Sequence, residues 1–186
     1  MDFREKHYEI INGEKILFNS ETCRENRIHT ALIGAFAPII LEDRFGFMFT
    51  SLYTYLPDGN KVIPDLIFID KSKANLLHED KPFRGVPDMV VEIFSRSTMK
   101  RDITVKKEVY ERNGVREYWM IDPWRESIEV YLLRDGKFFL DEIYFNYSDA
   151  ELAKMSDEER AAVKLEIPVA VLDGFKIQIK NLFGWF

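Results

Sequence analysis

Two stretches of the sequence, Val62 to Asp70 and Pro87 to Phe94, are apolar at odd and even positions alike. A strand carries that pattern when both of its faces are covered, so the two stretches predict adjacent central strands in a sheet with material packed on each side. The elements around them complete a mixed α/β (α+β) reading. Tyr8 to Phe18 holds two apolar runs around Asn12-Gly13, the signature of a tight hairpin turn. Ser20 is the expected N-cap of a helix whose inward stripe is Ile28, Leu32, Ile33, Phe36 and Ile40. A further strand is expected over Phe45 to Tyr55, and a loop over the polar stretch Lys71 to Gly85. A second helix is expected over Asp102 to Asn113, with Gly114 as its left-handed cap. Strands over Glu117 to Ile121, Ser127 to Leu133 and Phe175 to Ile179 follow. Ser148 with Glu151, and Ser156 with Glu159, form capping boxes for short helices.

A chain of 186 residues with 46 % hydrophobic residues is expected to form one domain, 1–186, with its core over about 20–135 and an acidic helical insertion over about 141–165. The single cysteine, Cys23, excludes an internal disulfide and a multi-thiolate zinc site, and fits a reducing, cytoplasmic setting. The charged stretch Met1 to Lys6 is unlike a signal peptide, and no apolar run approaches the roughly 18 to 20 residues that cross a bilayer, so no membrane partner is expected. The net charge of −6 argues against coating nucleic acid through bulk charge. Locally the balance reverses: residues 96–116 carry seven basic side chains against three acidic ones, a net of +4. Arg96, Lys100, Arg101 and Lys107 are its candidate polyanion contacts, although lysine-rich solvated helices are common.

Glu92 interrupts Met89-Val90-Val91-Glu92-Ile93-Phe94. A carboxylate inside a central strand costs several kcal/mol unless a cation or a metal meets it, so Glu92 demands a partner. Asp65, at the start of Leu66-Ile67-Phe68-Ile69, supplies a second acid. Side by side on neighbouring strands, roughly 5 Å apart, the two form a donor pair for a hard divalent cation. An internal salt bridge from Glu92 to a nearby Lys or Arg is the other way to satisfy it. Asp88 shares a strand face with Glu92, but four residues of strand span about 13 Å, too far for both to bind one ion. On the second helix Lys106, Val109, Tyr110 and Asn113 share a face with Asp102, so Lys106 can reach over the strand ends or pair with Asp102 at i,i+4. If Asp65 and Glu92 converge without a cation they repel, and Glu92→Gln is then expected to raise metal-free stability.

Val62-Ile-Pro-Asp65-Leu-Ile, Gly85-Val-Pro-Asp88-Met-Val-Val-Glu92-Ile-Phe-Ser95, Arg101-Asp102-Ile-Thr-Val-Lys106, Tyr110 and Gly114-Val-Arg-Glu-Tyr118-Trp119-Met-Ile-Asp122-Pro123 closely resemble a bacterial restriction endonuclease family, abundant in cyanobacteria, of the PD-(D/E)xK nuclease superfamily. The resemblance runs from about Tyr8 to Leu133. It implies a restriction-endonuclease-like core and a site in which Asp65, Glu92 and Lys106 are catalytic. Asp65, Glu92 and the backbone carbonyl of Ile93 would then hold Mg²⁺ or Mn²⁺, with Ser95, Asp88, Asp102 and Tyr110 in support. Phe94 stands where the superfamily motif has its lysine, so the resemblance places that lysine on the following helix, at Lys106. Glu21 or Glu25 is a possible extra acidic ligand on the same grounds. The expected function is a divalent-metal-dependent endonuclease hydrolysing DNA phosphodiester bonds. The alternative is a catalytically idle domain that binds nucleic acid or another partner. A homodimer is possible under either.

Overall fold

The computed structural model describes residues 8–17, 22–41, 45–95 and 102–184. β1 (Tyr8–Ile11) and β2 (Glu14–Leu17) form the expected hairpin, with Asn12 and Gly13 at φ of 50° and 83°. α1 (Cys23–Ile40) follows. Its cap is Thr22, whose hydroxyl accepts from the Glu25 N–H at 3.4 Å while its own N–H donates to the Glu25 carboxylate at 2.7 Å. Ser20, the expected cap, lies outside the described residues. The inward stripe is Ile28, Leu32, Phe36 and Ile39, whereas Ile33 and Ile40 are exposed. The drift of a straight helix carries position 39, rather than 40, onto the buried face.

The stretch expected as one strand over Phe45 to Tyr55 is two, β3 (Gly46–Thr50) and β4 (Thr54–Tyr55), broken at Ser51 with φ of 51°. Val62 to Asp70 is likewise two, β5 (Lys61–Val62) and β6 (Leu66–Asp70), separated at Ile63-Pro64-Asp65. Proline has no N–H for a ladder, so the chain leaves one sheet and enters another there. The polar stretch after β6 is not all loop: a 3₁₀ turn (Lys71–Leu76) and β7 (Phe83–Arg84) lie within it. β8 (Met89–Ile93) comes next. The expected helix over Asp102 to Asn113 is a π turn (Asp102–Lys106) leading into α2 (Lys107–Asn113), capped by Gly114 at φ of 86°.

β9 (Glu117–Asp122), β10 (Ser127–Arg134) and β11 (Lys137–Phe145) form a meander. Asp141 to Phe145, expected to begin a helical segment, complete β11. Helices start only at α3 (Asp149–Leu152) and α4 (Asp157–Ala162), each opened by the expected capping box. β12 (Glu166–Pro168), β13 (Lys176–Gln178) and α5 (Lys180–Phe183) close the described chain. Among the described residues no helix is long and apolar enough to cross a membrane.

A six-stranded sheet runs β11-β10-β9-β8-β6-β3, and a five-stranded sheet runs β2-β1-β5-β4-β7. In the larger sheet β8 and β9 are parallel, joined through α2, and the other pairs are antiparallel, so the sheet is mixed. Its one face packs on α1 and α5 through Phe68, Val91, Trp119, Leu32, Phe36 and Leu182. The other face packs on α2 and the five-stranded sheet through Val90, Phe94, Ile67, Tyr110, Val62 and Ile11. Both central strands are thus covered on both sides, as their apolar pattern requires.

Glu117, fully buried on the α1 side, ties the chain after β12 to the sheet. Its carboxylate accepts from the Val171 N–H at 2.9 Å and the Trp119 indole at 2.8 Å, and burial raises its pKa. Glu117→Ala would orphan both donors, and is expected to cost about 2 to 4 kcal/mol in urea denaturation.

Candidate functional site

The antiparallel register of β6 and β8 pairs Leu66 with Val91 and Ile67 with Val90. Continued by one residue, the same register sets Asp65 opposite Glu92, and the Ile93 N–H donates to Asp65 Oδ2 at 2.6 Å. The register thus brings the two acids side by side. Both lie on the face of the large sheet that meets α2 and the five-stranded sheet, because Glu92 is two residues from Val90 and from Phe94, and Asp65 two from Ile67, which puts each on its neighbours' face. Pro64 is what allows this: the chain crosses between sheets there, and Asp65 stands at the crossing.

Lys106 reaches this point from the end of the π turn. Its ammonium, 3 % exposed at the residue level, lies 3.0 and 2.9 Å from the Glu92 oxygens and 3.0 Å from Glu9 Oε1. One turn on, the Tyr110 hydroxyl donates to Glu92 Oε1 at 2.6 Å. Positions 106 and 110 are four apart, so one helical face delivers both groups to one carboxylate. A π turn adds a residue to the helical ring and changes where side chains point, which is why such turns recur at functional sites.

Glu9 is the residue that sequence reasoning missed. It is 1 % exposed, and its Oε1 also accepts from the Ile63 N–H at 2.9 Å. The signal was the period of β1: Glu9 and Ile11 are the inward positions of the strand. Of the acids suggested on α1 as extra ligands, Glu25 is engaged in the Thr22 cap and Glu21 lies outside the described residues.

Tyr110 is wholly buried, and its phenol is held well above the ordinary 10.0 first by burial and then by the charges of Glu92 and Glu9. A raised phenol pKa contributes stability that is complete below the unfolded-state value of about 10 and is lost as pH rises above it. Tyr110→Phe removes a bond to a carboxylate, with an expected cost of about 2 kcal/mol at neutral pH. Above pH about 10 the variant should lose stability less steeply than the wild type, as read by denaturation across that range.

The other expected site residues separate into three groups. Asp88, 2 % exposed, sits at the far end of β8 from Glu92. It accepts from the Asp70 N–H at 2.8 Å, Lys73 at 3.0 Å and Arg116 at 3.4 Å, which makes it an anchor for the turn after β6. Ser95 is half-buried just after β8, and Asp102 opens the π turn. Lys107 lies over the Tyr131 ring at 3.6 Å, away from Glu92, and burial lowers its pKa against the opposing pull of Glu129 and Glu111. Arg96, Lys100 and Arg101 lie outside the described residues.

The ion pair reverses one expectation. Glu92 does not face Asp65 across an empty gap, because Lys106 stands against it. Removing the Glu92 charge then breaks a buried pair rather than relieving repulsion, so Glu92→Gln should lower metal-free stability. Among the described residues no group of three or more His, Cys, Asp or Glu side chains gathers at metal-binding spacing. The oxygen donors that could hold a cation here are the carboxylates of Asp65 and Glu92, side by side on neighbouring strands, and the backbone of Ile93 beside them. Mg²⁺ is bound in this way, through one or two carboxylates with waters and substrate phosphates completing the shell.

A family model described as "Uma2: Putative restriction endonuclease" matches residues 1–169. Among solved structures, the crystal structure of a putative nuclease belonging to DUF820 from Anabaena variabilis is similar at a TM-score of 0.73 and 19 % identity, covering 97 % of this chain and 92 % of that one. No curated protein matches the chain. The structural likeness carries the fold expected from the sequence: a mixed sheet flanked by helices, with an N-terminal hairpin.

Proposed function

The chain belongs to the Uma2 putative restriction endonuclease family, and from that premise we propose that it is a divalent-metal-dependent nuclease that hydrolyses phosphodiester bonds in DNA. The observation that carries the proposal is the placement of half-buried Asp65 beside buried Glu92 on neighbouring strands, with Lys106 drawn in against Glu92 from the following π turn. In this reading Asp65, Glu92 and the Ile93 carbonyl hold Mg²⁺ or Mn²⁺. When bound, the ion would polarise the scissile phosphate and lower the pKa of a coordinated water. Lys106 orients the attacking water or offsets the negative charge that grows on the phosphate in the transition state. Tyr110 fixes the Glu92 carboxylate by a hydrogen bond, and Glu9 keeps the ammonium in place when a cation takes over Glu92.

One observation favours a second reading. Lys106 already satisfies Glu92 and Glu9 without any metal, as it would in a fold kept only for binding. Calorimetric titration with Mn²⁺ separates the two. The nuclease reading predicts binding by the wild type and its loss in Asp65→Asn. Absence of Mn²⁺ binding by the wild type would move the conclusion to the idle binding domain.

A further inference from the structure

The face of the five-stranded sheet that points away from the site has its own pattern. The registers align Lys15 with Ile10, Ile10 with Lys61, Lys61 with Tyr55 and Tyr55 with Arg84, one transverse row across five strands. Tyr8 lies on the same face of β1 as Ile10, and the residues on this side of the strands include no Asp or Glu. Aromatic rings set the cations in place. Lys61 lies 3.7 Å from the Tyr8 ring centre and 4.0 Å from that of Tyr53, Lys15 lies 4.0 Å from Tyr8, and Arg84 lies 4.4 Å from Tyr55.

Lys61 is only 6 % exposed. Among the described residues, none of these three cations stands within ion-pair distance of a carboxylate, in a chain with an excess of six acids. Tyrosine rings attract an ammonium but do not neutralise it, so the row keeps its positive charge while losing the side-chain freedom that binding would otherwise remove.

We propose that this row is a docking surface for the phosphate backbone of the nucleic acid on which the enzyme acts. The inference rests on the nuclease reading for its choice of partner, and charge complementarity selects that partner: ordered cations with no counter-acid among the described residues match a polyanion whose contacts carry no sequence information. The surface is separate from the site. β1 presents Glu9 to the site on one face and Tyr8 and Ile10 to the row on the other, so the row acts on affinity and leaves the chemistry to Lys106 and the acids.

The test is fluorescence anisotropy of a short labelled DNA with the full chain in EDTA, over a series of salt concentrations. The variants are Lys15→Glu with Arg84→Glu, both exposed positions, and Lys61→Met for the centre of the row. A control with the same change in net charge, Lys154→Glu with Arg160→Glu, lies on the acidic segment. The proposal predicts that the first pair weakens DNA binding by on the order of tenfold or more, and flattens the salt slope by about two, while the control does neither. An equal loss in the control would assign binding to bulk charge and overturn the proposal. So would unchanged affinity in the first pair, no DNA binding by the wild type, or loss of binding to phosphatidylserine vesicles with DNA binding intact. If the row variants lose DNA while the wild type cleaves nothing with metal, the surface stands and the nuclease reading fails.

Discussion

Lys106→Met is expected to lower metal-free stability by about 3 to 5 kcal/mol, the usual cost of removing one partner from a buried ion pair. The reason is specific to this cluster: the one ammonium pairs with both buried acids, Glu9 and Glu92, so its removal breaks two contacts at once. The same variant should gain more from Mn²⁺ than the wild type does, because no ammonium competes for the carboxylates. Turnover should fall by on the order of 10² to 10³, since a preorganised charge at the reacting phosphate is lost. Thermal denaturation in EDTA and in Mn²⁺ checks the first two effects. An unchanged melting temperature in EDTA would mean that the pair does not form in solution.

Glu92→Gln is the second large effect. The amide keeps the size of the side chain and can still accept from Tyr110, but it loses the charge and replaces one of the two oxygens that accept from Lys106 with a donor. Metal-free stability should drop by about 1.5 to 3 kcal/mol, the range for a hydrogen bond to a charged group. Stabilisation by Mn²⁺ should vanish. In the wild type, by contrast, a concentration of one hundred times Kd adds about 2.7 kcal/mol. A rise in metal-free stability would instead show Asp65 and Glu92 repelling each other with Lys106 elsewhere.

How far the sequence discloses this molecule depends on what each residue's immediate neighbours reveal. The central strands were legible because covering both faces leaves no polar alternation, and Asp65 beside Glu92 followed from their places in those strands. Helical periodicity places Lys106 on the inward face beside Tyr110, and the resemblance adds its place at the acids; although its own turn is π, Lys106 and Tyr110 keep the four-residue spacing that brings both to Glu92. The break at Pro64 was less visible. Apolar residues continue on both sides of it, and only the missing N–H marks the change of sheet. β11 was hidden by Asp141 and Glu142, whose charges suggested a solvated helix; an edge strand with one side in water tolerates them equally well. Glu9 was hidden for a different reason. Its partners, Ile63 and Lys106, are remote in sequence, so the one local sign is the period of β1, which places Glu9 inward with Ile11.

The account stands or falls on cleavage of supercoiled and single-stranded DNA by the purified protein in Mg²⁺, in Mn²⁺ and in EDTA, with Glu92→Ala and Lys106→Ala prepared in parallel. It predicts nicking that requires metal and disappears in both variants. Equal activity in the wild type and the variants, or none in the wild type with either metal, would contradict it.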